Sequence, residues 1–137
     1  SSTNKLATMA DVNTETSELV YDGDTNGNVT FSKTVTGGEL EIFFCRKSKN
    51  ETTRYASTGR IPVTDAVSSA GGMLYQLYVA WGVSLQGVIQ INVKNAFIHD
   101  YGIVVDSPCC VNLRQGSTSD FNNNDQTLYI KKVKWYH

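Results

Sequence analysis

The chain lacks several features that would decide its class at once. No run of some eighteen apolar residues exists to span a bilayer. The polar opening "SSTNKLATMADV" has neither the charged n-region nor the apolar stretch of a signal peptide. A soluble chain without membrane insertion is the expectation. Charge of one sign is not in surplus either, since twelve Lys and Arg stand against thirteen Asp and Glu. Such a balance gives no broad phosphate-binding surface, and nucleic acid is not an expected partner. Cysteine is scarce. Cys45, Cys109 and Cys110 cannot all pair within the chain, and adjacent cysteines pair only with strain, so free and mostly buried thiols are expected. A zinc site joining them to His99 would need C-x-x-C or H-x-x-x-H spacing, which is missing, and neither metal nor cofactor is expected.

Catalytic parts are equally few. His99 is the one histidine besides the terminal His137, and no serine lies in G-x-S-x-G. Asp65, Asp100, Asp106, Asp120 and Asp125 are the candidates for a carboxylate pair of the kind that cleaves glycans, yet aspartate in such segments is ordinarily turn chemistry. The reading is of a non-enzyme. At 137 residues the chain can bury a core of its own, so a metal is optional for folding.

What the sequence does have is alternation with period two, the signature of strands buried on one face. In "VTFSKTV" Val29, Phe31 and Val35 share a side. In "VIQINVK" the pattern puts Ile89, Ile91 and Val93 inward and Gln90, Asn92 and Lys94 outward. "MLYQLYVAW" sets Met73, Tyr75, Leu77, Val79 and Trp81 against Leu74, Gln76, Tyr78 and Ala80, apolar enough on both sides to lie centrally. Further strands are predicted over 19–21, 39–46, 53–62, 96–105, 109–114 and 127–136. In the last, Leu128 and Ile130 fall on one phase and Val133 and Trp135 on the other, which predicts a β-bulge at Lys131-Lys132. No window of ten residues carries a capped helical stripe. The fold expected is all-β, an antiparallel two-sheet sandwich of eight or nine strands over 18–137, behind a polar arm at 1–17.

One short motif invites a metal. "DGDTNGNVTFSK" places Asp22, Asp24, Asn26 and Gly27 at the first, third, fifth and sixth positions of a calcium loop, but Lys33 stands at the twelfth, where a bidentate Glu belongs. The same residues suit a tight connection, so a hairpin joining 19–21 to 28–35 is predicted instead.

The stretches "LATMADV", "ELVYDGDTNGNVTFSKTVTGGELEIFFCRK" and "LYIKKVKWYH" resemble the C-terminal domain of bacteriophage tail-fibre and related tail proteins. In those sequences a short strand leads through a Gly-rich turn into a second strand and then an apolar one. The chain closes on apolar residues alternating with Lys. Positions 19–23, 28–32, 40–44 and 130–136 carry the likeness, while 53–123 has no counterpart. The resemblance implies a place in the virion at a tail fibre or tail tip, a homotrimer, and non-covalent binding of a host surface glycan or other surface receptor. Its alternatives are a module that caps or trimerises a fibre, and a carbohydrate-active depolymerase domain. For glycan binding the candidate residues are Tyr78, on the second face of its strand, and Asn122, Asn123, Asn124 and Asp125 in the polar loop "QGSTSDFNNNDQT". Tyr75 and Trp81 read as core by phase, and the basic "CRKSKNETTR" reads as a solvated connection.

Overall fold

The computed structural model describes residues 14–47, 54–83, 87–114, 116 and 120–137. In chain order its strands are β1 (Ser17–Thr25), β2 (Val29–Thr30), β3 (Glu39–Arg46), β4 (Tyr55–Ser57), β5 (Ile61–Pro62), β6 (Met73–Val83), β7 (Val88–His99), β8 (Gly102–Arg114), β9 (Asp120–Asn122) and β10 (Leu128–Tyr136). A 3-10 turn, Asp65–Ser68, precedes β6 and is capped by the Thr64 hydroxyl, which accepts from the Ala66 amide. Two antiparallel sheets result. The first runs β1-β10-β3-β4, with β5 also on β3; the second runs β2-β8-β7-β6, with β9 on β8. This is the expected all-β two-sheet sandwich.

Alternation explains the core. Leu40, Ile42 and Phe44 of β3 and Leu128, Ile130, Val133 and Trp135 of β10 are buried against Leu77 and Val79 of β6, Ala96 and Ile98 of β7 and Ile103 of β8. The bulge in β10 lies where the phase slips. Ile130 faces Phe44 and Lys132 faces Phe43, leaving Lys131 as the extra residue that returns Val133 and Trp135 to the core side. Lys131 then reaches Asp24 at 3.0 Å, and Lys47 holds the other oxygen of the same carboxylate. Hydrogen bonds from Lys47 and then Lys131 keep the Asp24 carboxyl below its usual range.

Three expectations need correction. The opening hairpin does not form: β1 continues through Thr25 and pairs with β10, whereas β2 pairs with β8 in the other sheet. Asn26–Gly27 therefore carries the chain across the sandwich. It is a bridge between layers, although Val29, Phe31 and Val35 are buried as their alternation requires. The strand expected over 53–62 is two short strands split at Gly59, whose φ of +68° no strand residue adopts. The strand expected over 96–105 is the end of β7, a turn at Asp100–Tyr101 and the start of β8.

That last error inverts a face. β7 pairs with β6 in unbroken register from Val88 to Ile98, so every second residue must share the side of Ala96 and Ile98. Gln90, Asn92 and Lys94 consequently point inward, and Ile89, Ile91 and Val93 point out, opposite to the sequence reading. Asn92 and Lys94 are each 1% exposed, while Ile89 is 50% exposed. The interior answers with polar partners. Lys94 donates across the sandwich to the carbonyl of Leu128, 3.0 Å away, and to that of Asn26. The Asn92 amide donates to Asp125 Oδ1 at 3.1 Å and Thr127 Oγ1 at 2.8 Å.

Two predictions follow from this layout. Deleting Lys131 should turn β10 into a regular strand with Ile130, Val133 and Trp135 still on the core side, so cooperative unfolding in a urea melt should survive, whereas inserting an alanine between Val133 and Lys134 should throw Trp135 out of phase and abolish it. Lys131→Ala, which keeps the bulge, should cost at most about 1 kcal/mol through an exposed ion pair. Burial lowers the Lys94 ammonium from its ordinary 10.5 to about 8, with Asp125 pulling the other way. Below pH 8 both folded and unfolded chains carry that proton, so the burial penalty is present in full. Between pH 8 and the unfolded value the unfolded chain binds the extra proton, and stability should rise by up to about 3 kcal/mol. Lys94→Met should remove this rise when unfolding is compared across pH 7.5–10.5 against the wild type.

Candidate functional site

The sandwich opens along one side. There β4, an edge strand of only three residues, faces the long edge strand β6 of the other sheet. Two contacts tie the lips together. The Tyr75 hydroxyl donates to the Thr58 carbonyl at 3.3 Å, and the Arg54 guanidinium lies over the Trp81 indole, 3.6 Å from its centroid. Between these ties is a cleft of about 470 Å³, floored by Phe44, Ala56 and Val79 and lined by Tyr55, Tyr75, Tyr78 and Trp81 with Ser57, Thr58 and Gln76.

The cleft's geometry comes from strand ends and register. Arg54 sits at φ +72°, a left-handed conformation uncommon for a long side chain, just before Tyr55 enters β4. Tyr55 and Tyr78 are 63% and 62% exposed, so their rings stand at the rim. Trp81 has the inward parity expected of it, but it lies at the end of β6 beyond the apolar core. Its Nε1–H donates to Gln90 Oε1 at 3.0 Å, and Gln90 Nε2 donates to Asn112 Oδ1 at 2.8 Å. These three residues form one cross-strand row on β6, β7 and β8. The row fixes the indole plane from behind while the guanidinium covers it in front. Ser57 donates to Glu41 Oε2 at 2.6 Å, and this bond, with a second from Tyr136, holds the Glu41 carboxyl below its usual range. Among the described residues the lining carries one charged group, Arg54, and no carboxylate. Chemically the cleft offers ring faces for stacking, with hydroxyl and amide groups beside them.

The residues expected from sequence fall in two places. Tyr78 lines the cleft. Asn122 ends β9 and Asn123 to Asp125 follow it, at the opposite side of the second sheet, three strands away from β6 and so roughly 14 Å distant at the strand spacing. The two groups do not meet. Asn122, Asn123 and Asn124 are exposed, with Asn122 Oδ1 accepting from the Asn124 amide at 3.2 Å. Asp125 turns inward, accepting from Asn92 and from the Thr127 amide at 3.0 Å, and thereby braces the polar interior. The rest of that loop at 115 and 117–119, the basic connection at 48–53 and most of the arm, 1–13, lie outside the described residues.

Tyr55, Arg54 and Trp81 are what sequence reasoning missed. Their assembly depends on β4 and β6 being facing edges, which no local pattern encodes. The one usable signal was a tyrosine on the polar phase of a predicted strand. A smaller polar crevice of about 380 Å³ lies elsewhere, between Asn26, Gly27, Asn28, Asp106, Pro108 and Gln126, with Lys94 at its base. Cys45 and Cys110 are buried and Cys109 half-buried, all as free thiols, and burial pushes each of them above the usual thiol value. Comparison with known proteins finds no matching family model, no matching curated protein and no matching solved structure.

Proposed function

We propose that the domain is a non-enzymatic attachment module that binds a host surface glycan, carried at the end of a phage tail fibre or tail tip. The cleft between β4 and β6 is the observation that supports the binding part of this reading. Sugars present alternating apolar patches and hydroxyls, and Tyr55, Tyr78 and Trp81 offer rings beside the hydroxyls of Ser57 and Thr58 and the amide of Gln76. The tail location rests on the resemblance of 6–12, 18–47 and 128–137 alone.

Glycan-array screening of the whole chain, followed by titration calorimetry with the best ligand, tests the proposal. Tyr55→Ala should leave thermal stability within about 0.5 kcal/mol, because the ring is mostly exposed. It should weaken binding by roughly tenfold, about 1.4 kcal/mol, and Tyr78→Ala should act alike. Asn123→Ala, on the other side of the sheet, should change nothing. Absence of binding to every arrayed glycan and to host envelope material would defeat the proposal and leave a purely structural module.

A further inference from the structure

We infer that the saccharide taken by the β4–β6 cleft is an acidic one, bearing a carboxylate or a phosphate group, and that Arg54, with Arg46 beside it, recognises that charge. This rests on the glycan-binding reading of the same cleft and narrows its ligand class. The segment "CRKSKNETTR" reads from sequence as a solvated connection, yet its two arginines come together at one ring. The guanidinium carbons of Arg54 and Arg46 lie 3.6 and 5.4 Å from the centroid of the Trp81 indole. Strand phase explains how. Arg46 continues the inward phase of Leu40, Ile42 and Phe44 at the end of β3, and its amide donates to the Arg54 carbonyl at 3.2 Å, so the two side chains start from neighbouring strands.

The strands that build the cleft, β3, β4 and β6, carry just two carboxylates, Glu39 and Glu41. Both stand on the outward phase of β3 and are bonded there, Glu39 to Arg60 at 2.9 Å and Glu41 to Ser57 and Tyr136. The cleft therefore has a positive end. Like charges on neighbouring strands repel, and the indole face offsets that only in part, so an anion placed there gains from both guanidiniums. Backbone geometry adds a second observation. Arg54 holds φ +72°, where glycine would sit without strain, and a long cation kept at such a position points to a use for its head group. Stacking occupies the face of a guanidinium, whereas its N–H donors lie in the plane. Arg54 can thus cover the indole and still present a two-pronged edge, which matches a carboxylate or phosphate and is largely wasted on a neutral hydroxyl. Tyr55 and Tyr78, at the rim, supply ring faces for the sugar that bears the acid.

Matched saccharide pairs, arrayed side by side and probed with the whole chain, test this. Sialylated glycans with their desialylated parents and uronic-acid glycans with their carboxyl-reduced forms make the carboxylate arm; phosphorylated glycans with their dephosphorylated forms make the other. The acidic member of a pair should bind roughly tenfold tighter, and raising NaCl from about 0.05 M to about 0.5 M should remove most of that difference. The arm that shows the difference identifies the group. Arg54→Gly, which suits the backbone there, should bring the acidic member down to its parent while neutral binding stays within about twofold. Arg54→Lys should keep part of the preference, through charge without the fork. Equal binding of acidic and neutral members overturns the inference and leaves the glycan-binding reading standing. An acid preference that Arg54→Gly leaves intact overturns it too, since another cation would then be the reader. Binding to no member of any pair overturns both.

Discussion

The unbroken pairing of β6 with β7 is the constraint on which the rest of the molecule depends. Eleven consecutive residue pairs leave no place for a phase change, so the apolar end at Ala96 and Ile98 dictates the direction of every side chain back to Val88. The interior is thereby divided. Toward His99 it is apolar and packed by Ile98, Ile103, Val35 and Val67; toward Val88 it holds Gln90, Asn92, Lys94 and Asn112. Burying an amide and an ammonium is tolerable only because partners wait on the opposite sheet, at Leu128, Asp125 and Thr127. Those contacts are directional, and they fix the spacing and register of the two layers more narrowly than apolar packing alone would.

The cleft is a second result of the same division. At the polar end the sheets are held by long-reach hydrogen bonds, and the edge strand β4 ends after three residues. The layers separate there and expose Trp81 to the side. Gln90, inward only because of the β7 parity, is what orients the indole. The orientation of the cleft's indole and the polar core are thus both set by β7.

Much of this was legible in the sequence, and the failures have a common cause. The β10 bulge could be read because two apolar pairs lie on opposite phases within nine residues, leaving one local solution. The parity of β6 was legible because both ends of the strand are apolar on the same phase. β7 was misread because the chain was divided at Asn95; once 88–94 and 96–105 are taken as separate strands, the isoleucine phase has nothing to oppose it. The supposed hairpin at Asn26–Gly27 failed differently. Local residues specify a turn, but which sheet each arm joins is decided by β10 and β8, which lie far beyond any local window: Thr25 pairs with Ile130 and Val29 with Ile103. The candidate site suffered the same limit, since Tyr78 could be placed on the outer phase but its neighbours Arg54 and Tyr55 come from another sheet.

The two indoles occupy opposite situations. Trp135 is 6% exposed, donates to the Gly37 carbonyl at 2.9 Å and stacks on His137, so its surroundings persist as long as the sandwich is folded. Trp81 lies at an open surface under a guanidinium. Intrinsic fluorescence therefore contains two separable signals, one that follows unfolding and one that follows events at the rim. A chain with Trp135 replaced by Phe would carry its own optical reporter for the cleft, without a label.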